Sequence, residues 1–569
     1  MAYHQNTHQR PLHKLFLLWM FVFTVINYTN YSKAQITFQD ISVTAGLDGD
    51  EYRSSGGHGL GVNWVDINND GWDDLFVVGG GPGFPPKLFL NQQNGTFINV
   101  SNWLPQLPDV EMSGSRFADF DNDGDKDLFI YTDHPDFSVL FLNDPDGPPN
   151  LLLVNQLSQS GSVGFIEQAS QAGVDDLAPT PFGLLPAYRS KTASWLDYNR
   201  DGCVDLFVGH LVQNSAGFDV NKDRFYQNNC DGTFADVTAV SGVNDGSDSL
   251  TYRAALGSGG FHLNEDLWPD LYVVNVSGTD PQPYLNDFLY LNQGNSSQTS
   301  FVESITQSLG VGNDSQAGMG IDVADINHDG HWDIYVSDFF TTDLDENPPG
   351  NVLYMGLGNG LLVDNSAVNA GVQANDSWGV NFFDANHDTW EDLFVATIST
   401  VDHDFMFHNN GTDAQGQVTF TQVVNAAGID AGNARGSAVS DFDHDGDLDL
   451  AVVSQGGGLQ LFRNDTIGTG NWLIVRLVAR ESNRDGIGSM VTVTTGTLQQ
   501  KRQVKGGSSA HSQDSLNVHF GLGSAEVVDA LEVNWPSGRT TVLNNLVSNR
   551  YISVVEADDL IFKHGYEVN

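Results

Sequence analysis

One pattern, Asp-x-Asp/Asn-x-Asp-Gly-x-x-Asp followed by an apolar run, recurs along this chain and constrains its fold more than any other feature. DINNDGWDDLFV begins at Asp66, DFDNDGDKDLFI at Asp119, DYNRDGCVDLFV at Asp197, DINHDGHWDIYV at Asp325, DANHDTWEDLFV at Asp384 and DFDHDGDLDLAV at Asp441. A degraded seventh copy, HLNEDLWPDLYV, begins at His262. Starts lie 53 to 78 residues apart, too far for solenoid coils and suited to four-stranded propeller blades with variable loops. Five residues before the loops stand Gly61, Gly114, Thr192, Gly257, Gly320, Gly379 and Gly436, which marks a crowded innermost strand. Each unit then reads as a second strand of LFVV type, a third such as KLFLN at Lys87 and a fourth such as TFINV. The Asp441 unit lacks its fourth strand, and Ile36 to Ser42 (ITFQDIS) fits that role, so the N-terminal segment is expected to close the ring and leave no open sheet edge.

The acidic loops carry the clearest chemistry. Oxygen side chains at positions 1, 3, 5 and 9, a carbonyl at 7 and a Gly for the sharp turn at 6 can wrap one hard cation. The ligands expected are Asp66, Asn68, Asp70 and Asp74; Asp119, Asp121, Asp123 and Asp127; Asp197, Asn199, Asp201 and Asp205. In the later units they are Asp325, Asn327, Asp329 and Asp333; Asp384, Asn386, Asp388 and Asp392; Asp441, Asp443, Asp445 and Asp449. Calcium fits this flexible oxygen set better than magnesium, and the absence of recurring His or Cys disfavours zinc and copper. Five or six Ca2+ sites are expected, the Asp384 loop being weaker because Thr389 replaces Gly. In the degraded copy His262 and Leu267 displace the first Asp and the Gly. An Asx-rich turn without metal would explain one such loop, but repeated clusters of carboxylates would repel if empty.

The fold class is therefore all-β: a seven-bladed β-propeller with calcium-binding loops over 35–467, a small β-sandwich-like domain over 470–556, and a tail over 557–569. Residues 1–34 read as a signal peptide. His8, Arg10 and Lys14 precede the apolar run Leu15 to Ile26, and Ser32-Lys33-Ala34 offers a cleavage site. That run falls short of the roughly 20 residues a membrane anchor needs. The mature protein is expected to be secreted, extracellular or periplasmic or at the cell surface, with no integral membrane segment. In 569 residues, 24 Lys plus Arg stand against 72 Asp plus Glu, and the net charge of −48 excludes nucleic acid as a natural partner.

The tandem units resemble the FG-GAP/VCBS-type repeats of integrin alpha chains and bacterial secreted proteins. Downstream, NWLIVRL at Asn471, NRDGIGSMVTV at Asn483, HFGLG at His519 and VNWPSGR at Val533 resemble the ASPIC/UnbV domain of the cartilage acidic protein family, in its shorter bacterial form because no EGF-like Cys cluster follows. The resemblance implies extracellular calcium binding and interaction or adhesion, and no shared reaction.

Read from the residues alone, Leu473 to Val478, Met490 to Thr494, Leu516 to Phe520, Ala530 to Asn534 and Tyr551 to Val555 are strands of that last unit. Its cations Arg484, Arg502, Lys505 and Arg539 are either solvated, docked on the acidic propeller or ligand-binding. Cys203 and Cys230 fall at the same end of one blade, which permits a disulfide; two inert thiols are the alternative. The opposite mouth collects His58, Arg189, Lys191, Trp378 and Arg435, candidates for an anionic or sugar ligand unless they simply pair with neighbouring acids. No nucleophile elbow, zinc-protease, P-loop or dinucleotide motif occurs. The reading is a binding or adhesion module with an extracellular protein or glycan partner. The alternative is an enzyme, of hydrolase or lyase class, with its site at that mouth.

Overall fold

The computed structural model describes residues 35–47, 60–133 except 82, 148–176, 189–210, 223–243, 253–277, 287–294, 301–303, 318–339, 350–364 except 359 and 361, 370–398, 404–455 and 458–556. The segments 1–34 and 557–569, and His58, lie outside the described residues. Among the described residues no helix is long and apolar enough to cross a membrane.

Seven four-stranded antiparallel sheets follow one another as blades. The first contains Val62–Val65, Asp74–Val77, Lys87–Asn91 and Phe97–Asn99, in that order from the inside out. The first strands of the other six are Glu111–Ala118, Ser190–Leu196, Arg253–Phe261, Gly318–Ala324, Ser377–Phe383 and Ala434–Ser440. Each first strand packs on those of both neighbours, including the seventh on the first, so the blades form a closed ring. Outer strands of three residues, such as Phe97–Asn99 and Phe165–Glu167, keep the rim edges short.

The seventh blade is completed by Phe38–Asp40, whose residues pair antiparallel with Asn464, Arg463 and Phe462. Phe38 is buried against Phe383, Phe394 and Phe462, so the closure rests on an apolar anchor as well as on backbone bonds. Phe38→Ala is expected to cost about 3–5 kcal/mol of stability, the usual range for emptying a buried Phe site. A urea titration with an unchanged midpoint would contradict this role for the N-terminal strand.

Two packed sheets form the C-terminal unit. Val518–Gly523, Asn471–Val478 and Arg550–Val555 make one, its last pair parallel; Leu498–Gln503, Met490–Thr495, Val527–Asn534 and Thr540–Val547 make the other. Leu498–Gln503 and Thr540–Val547 are additions to the five strands legible in the sequence. LQQKRQ has a single apolar residue because its polar side chains are used as fasteners: the Gln500 amide donates to the Gly521 carbonyl at 2.7 Å and Arg502 lies over the Phe520 ring.

This unit sits on the face that carries the acidic loops and sends residues 505–515 (KGGSSAHSQDS) into the axis of the ring. The inward edges of propeller first strands have no partner strand, and buried backbone groups need one. The inserted segment supplies it. Trp195 donates its amide to the Gly506 carbonyl at 3.1 Å, Ser509 to Ile321 at 2.8 Å, and Val62 and Trp64 exchange backbone bonds with Gln513 at 3.1 Å each. The Gln513 side chain accepts the Phe117 amide at 2.7 Å and donates to its carbonyl at 3.0 Å. Asp514 accepts the Val439 amide and the Asn381 side chain. The innermost glycines follow from this crowding: a Cβ on Gly61 would strike the His511 carbonyl, and one on Gly436 would strike the Leu60 carbonyl and the Ser512 hydroxyl.

Candidate metal centres

Each acidic loop joins the first strand of a blade to the second, and its last Asp opens the second strand. Those residues, Asp74, Asp127, Asp205, Asp270, Asp333, Asp392 and Asp449, are completely buried. In blade 1 one Asp74 oxygen accepts the Ile67 amide at 3.1 Å and the other the Asn91 amide, at the end of the third strand, at 2.7 Å. The second bond recurs in all seven blades at 2.7–2.9 Å, so this carboxylate ties the loop to both of the strands that follow it. The first Asp accepts the amides of loop positions 5 and 6: Asp66 from Asp70 and Gly71, and Asp441 from Asp445 and Gly446, at 2.9–3.1 Å.

Position 6 is left-handed throughout, with φ from 86° to 103° at the five glycines. Thr389 is held at φ 86° and Leu267 at 68°. Both keep the turn against the steric preference of a side chain with a Cβ. The degraded copy thus differs from the others in its ligand set rather than in its backbone. His262 stands where the first carboxylate should be, and its ring is hydrogen-bonded to the Gly488 carbonyl at 2.6 Å.

Asn91, Asn155, Asn228, Asn292 and Asn464 end five of the third strands and Asn409 lies within a sixth, Phe405–Thr412, and sequence reasoning passed over them. Each donates its side-chain amide to the carbonyl at position 2 of the preceding blade's loop, for example Asn91 to Phe442 at 2.9 Å and Asn228 to Phe120 at 2.7 Å. The loops are therefore latched to one another around the ring. Gly356 occupies the equivalent place in blade 5, so the seam toward the degraded loop lacks the latch.

Two loops gather three carboxylates with oxygens within 4.8 Å of one another: Asp119, Asp121 and Asp127, and Asp441, Asp443 and Asp449. Asp119 Oδ1, Asp127 Oδ2 and Asp443 Oδ1 are buried without a hydrogen-bond partner. Burial, reinforced by Asp485, pushes Asp119 up to about 8. Burial and the Asp201 charge push Asp197 up to about 7; Asp441, Asp449 and Asp127 are raised well above the usual range, burial again leading. Buried like charges and orphaned oxygens of this kind fit one hard divalent cation held by oxygen ligands. Loops with Asn at position 3 instead bond that side chain to the position 5 carboxylate, as Asn68 does to Asp70 at 2.9 Å. Cys203 is position 7 of the third loop; its sulfur is joined to Cys230, with 5.8 Å between Cα atoms, which fastens the loop to the turn beyond the third strand.

The C-terminal unit touches the ring of loops. Arg476 meets Asp66 at 3.2 Å, Asp485 accepts the Asp119 amide at 2.7 Å, and the Tyr551 hydroxyl donates to Asp441 at 2.8 Å. Lys501 reaches the Gly330 carbonyl at 2.9 Å, and Gly523 donates to the His387 carbonyl at 2.9 Å. Arg502 pairs with Glu391 and Lys505 with Asp322, whereas Arg539 pairs with Glu481 of its own unit.

At the opposite mouth the candidates separate into two groups. Arg189 and Lys191 both pair with Asp133, which they hold below the usual carboxylate range despite its burial. Arg435 lies 4.3 Å over the Trp378 ring and donates to Gln455 at 3.1 Å, while its Nε and Nη1 are buried with no hydrogen-bond partner. Burial lowers Arg435 to about 10, with Glu111 opposing. From the tip of the inserted segment His511 stands 6.0 Å from Trp378 and 6.3 Å from Tyr131, between blades 6 and 2.

This architecture is that of an FG-GAP-like repeat propeller carrying an ASPIC and UnbV domain. FG-GAP-like repeats match residues 54–130 and 262–336, and the ASPIC and UnbV model matches 479–560. Over 87% of its length the chain is 24% identical to cartilage acidic protein 1 of Mus musculus and 23% identical to that of Homo sapiens, spanning 73% and 71% of those proteins. A solved structure of a putative 6-phosphogluconolactonase from Bacteroides uniformis aligns with 72% of this chain and 93% of its own, at 11% identity and a TM-score of 0.38.

Proposed function

We propose that this chain is a secreted, calcium-stabilised propeller that acts as an extracellular binding or adhesion module. The observation that carries this reading is the repeated carboxylate cradle, at its fullest around Asp119 and Asp441, where carboxylates converge and Asp119 Oδ1, Asp127 Oδ2 and Asp443 Oδ1 are buried with no protein donor. Weak all-oxygen calcium sites suit the millimolar calcium outside cells, and the Cys203–Cys230 bond suits an oxidising compartment. The similarity to cartilage acidic protein 1 supports an extracellular setting.

The ligand end is the mouth remote from the loops. Arg189 and Lys191 are neutralised there by Asp133, whereas Arg435, stacked on Trp378, keeps its Nε and Nη1 donors without a hydrogen-bond partner. A guanidinium stacked on an indole suits an acidic glycan or an acidic protein segment. The test is retention of the full chain, in calcium, on an array of sulfated, uronate-containing and neutral glycans and matrix proteins. Retention on acidic surfaces that falls at least tenfold in Arg435→Ala supports the reading. Retention indifferent to Arg435→Ala, or none on any surface, contradicts it.

A further inference from the structure

We propose that cation occupancy of the loops and seating of the C-terminal unit form one linked equilibrium, so that losing the cations withdraws residues 505–515 from the axis and opens the channel on the loop face. The proposal rests on the reading of the loops as cation sites.

Beyond the bonds of residues 505–515 to the first strands, several contacts that hold the C-terminal unit are made to the ligand loops themselves. Tyr551 bonds the Asp441 carboxylate, Arg476 the Asp66 carboxylate, and the acceptors for Lys501 and Gly523 are carbonyls within loops 5 and 6. Those carbonyls point correctly only while the loops keep their two left-handed residues each, including the strained Thr389. A cation bound at positions 1, 3, 5 and 9 fixes that shape; without one, the carboxylates repel and the shape is lost.

Asp485 makes the linkage specific. The C-terminal unit places this carboxylate, 5% exposed, against the Asp119 loop, which already holds Asp119, Asp121, Asp123, Asp125 and Asp127. Lys126 pairs with Asp485 and Arg484 stands 4.0 Å from Asp119, which offsets two of these charges. A sixth acid in that position is favourable when a divalent ion neutralises the loop and repulsive when it does not. Because linkage is reciprocal, the seated unit must raise the cation affinity of the loops by the same factor by which the cations strengthen seating. The Asn latches between neighbouring loops spread the response around the ring.

Hydrogen exchange of the full chain followed by mass spectrometry, with excess calcium and with chelator, tests this, and ions are counted in parallel by native mass spectrometry. Residues 505–515 are expected to lose protection at least tenfold on chelation, before blade strands such as Asp205–His210 do. Tyr551→Phe is expected to lower the calcium affinity of one loop several-fold and to increase exchange in 505–515 while the blades stay protected. Loss of ions with unchanged exchange in 505–515 would overturn the linkage and leave the cation sites standing. Exchange in 505–515 that rises only together with the blade strands would also overturn it. No ions in the calcium sample would overturn the loop reading beneath it.

Discussion

Chelation of the full chain should lower its melting temperature by about 15 °C. A site that binds the folded state alone adds about 2.7 kcal/mol when free cation is about 100 times Kd, and five sites give roughly 13 kcal/mol. An unfolding entropy of roughly 0.9 kcal/mol per kelvin, appropriate to a propeller of about 430 residues, converts this to about 15 °C. The pH dependence sharpens the expectation. Without cation, Asp119 at about 8 and Asp197 at about 7 bind protons in the folded state that the unfolded chain, with ordinary carboxylates, does not. Stability in chelator therefore rises as pH falls from 8 to 6.5. With cation bound the ligands hold no proton and the slope disappears. Below pH 6.5 His328 and His387, held down at about 4 by burial, offset part of the rise in chelator because they stay neutral where the unfolded chain would protonate, while Asp66 and Asp325, raised to about 6 by burial, extend it. Melts that coincide in calcium and chelator, or a chelator melt that falls between pH 8 and 6.5, would contradict this account.

Blocking the axis should be nearly as damaging. A Cβ at Gly61 would lie 2.0 Å from the His511 carbonyl oxygen, so the blade strand or the inserted turn must give way. Gly61→Val is expected to expel residues 505–515, with the bonds of Gln513 to Val62, Trp64 and Phe117 lost together. Trypsin provides the readout, since Arg502 and Lys505 are held in the docked face by Glu391 and Asp322. The variant should be cut there at least tenfold faster than the natural chain and melt several degrees lower. Equal cleavage and an equal melt would contradict the axial seat.

The blades were legible because loop and strand share one repeating pattern: the spacing located seven first strands, and the unpaired end of the seventh blade called for the Phe38 strand. The seat of the C-terminal unit was not legible. KGGSSAHSQDS reads as a turn-rich surface segment, and what orders it is the set of unpaired first-strand edges, which only the closed ring brings together. The Asn latches could have been found by aligning the third strands from their apolar residues, where Asn recurs six times, but their acceptors lie in the preceding blade. Leu267, whose Cβ disfavours a left-handed turn, adopts it nonetheless, so the missing first carboxylate rather than the backbone sets that loop apart. The pairing of Arg189 and Lys191 with Asp133 depends on two strands meeting at one level, which local patterning does not specify.

Counting bound calcium by native mass spectrometry tests the central claim most directly. The natural chain should carry five or six ions, one for each intact or near-intact loop. Asp445→Ala, in the loop that gathers Asp441, Asp443 and Asp449, should carry one fewer, and Asp266→Ala, in the loop where His262 replaces the first carboxylate, should carry the same number. A natural chain without calcium, an Asp445→Ala variant with the full number or an Asp266→Ala variant that loses an ion would contradict it.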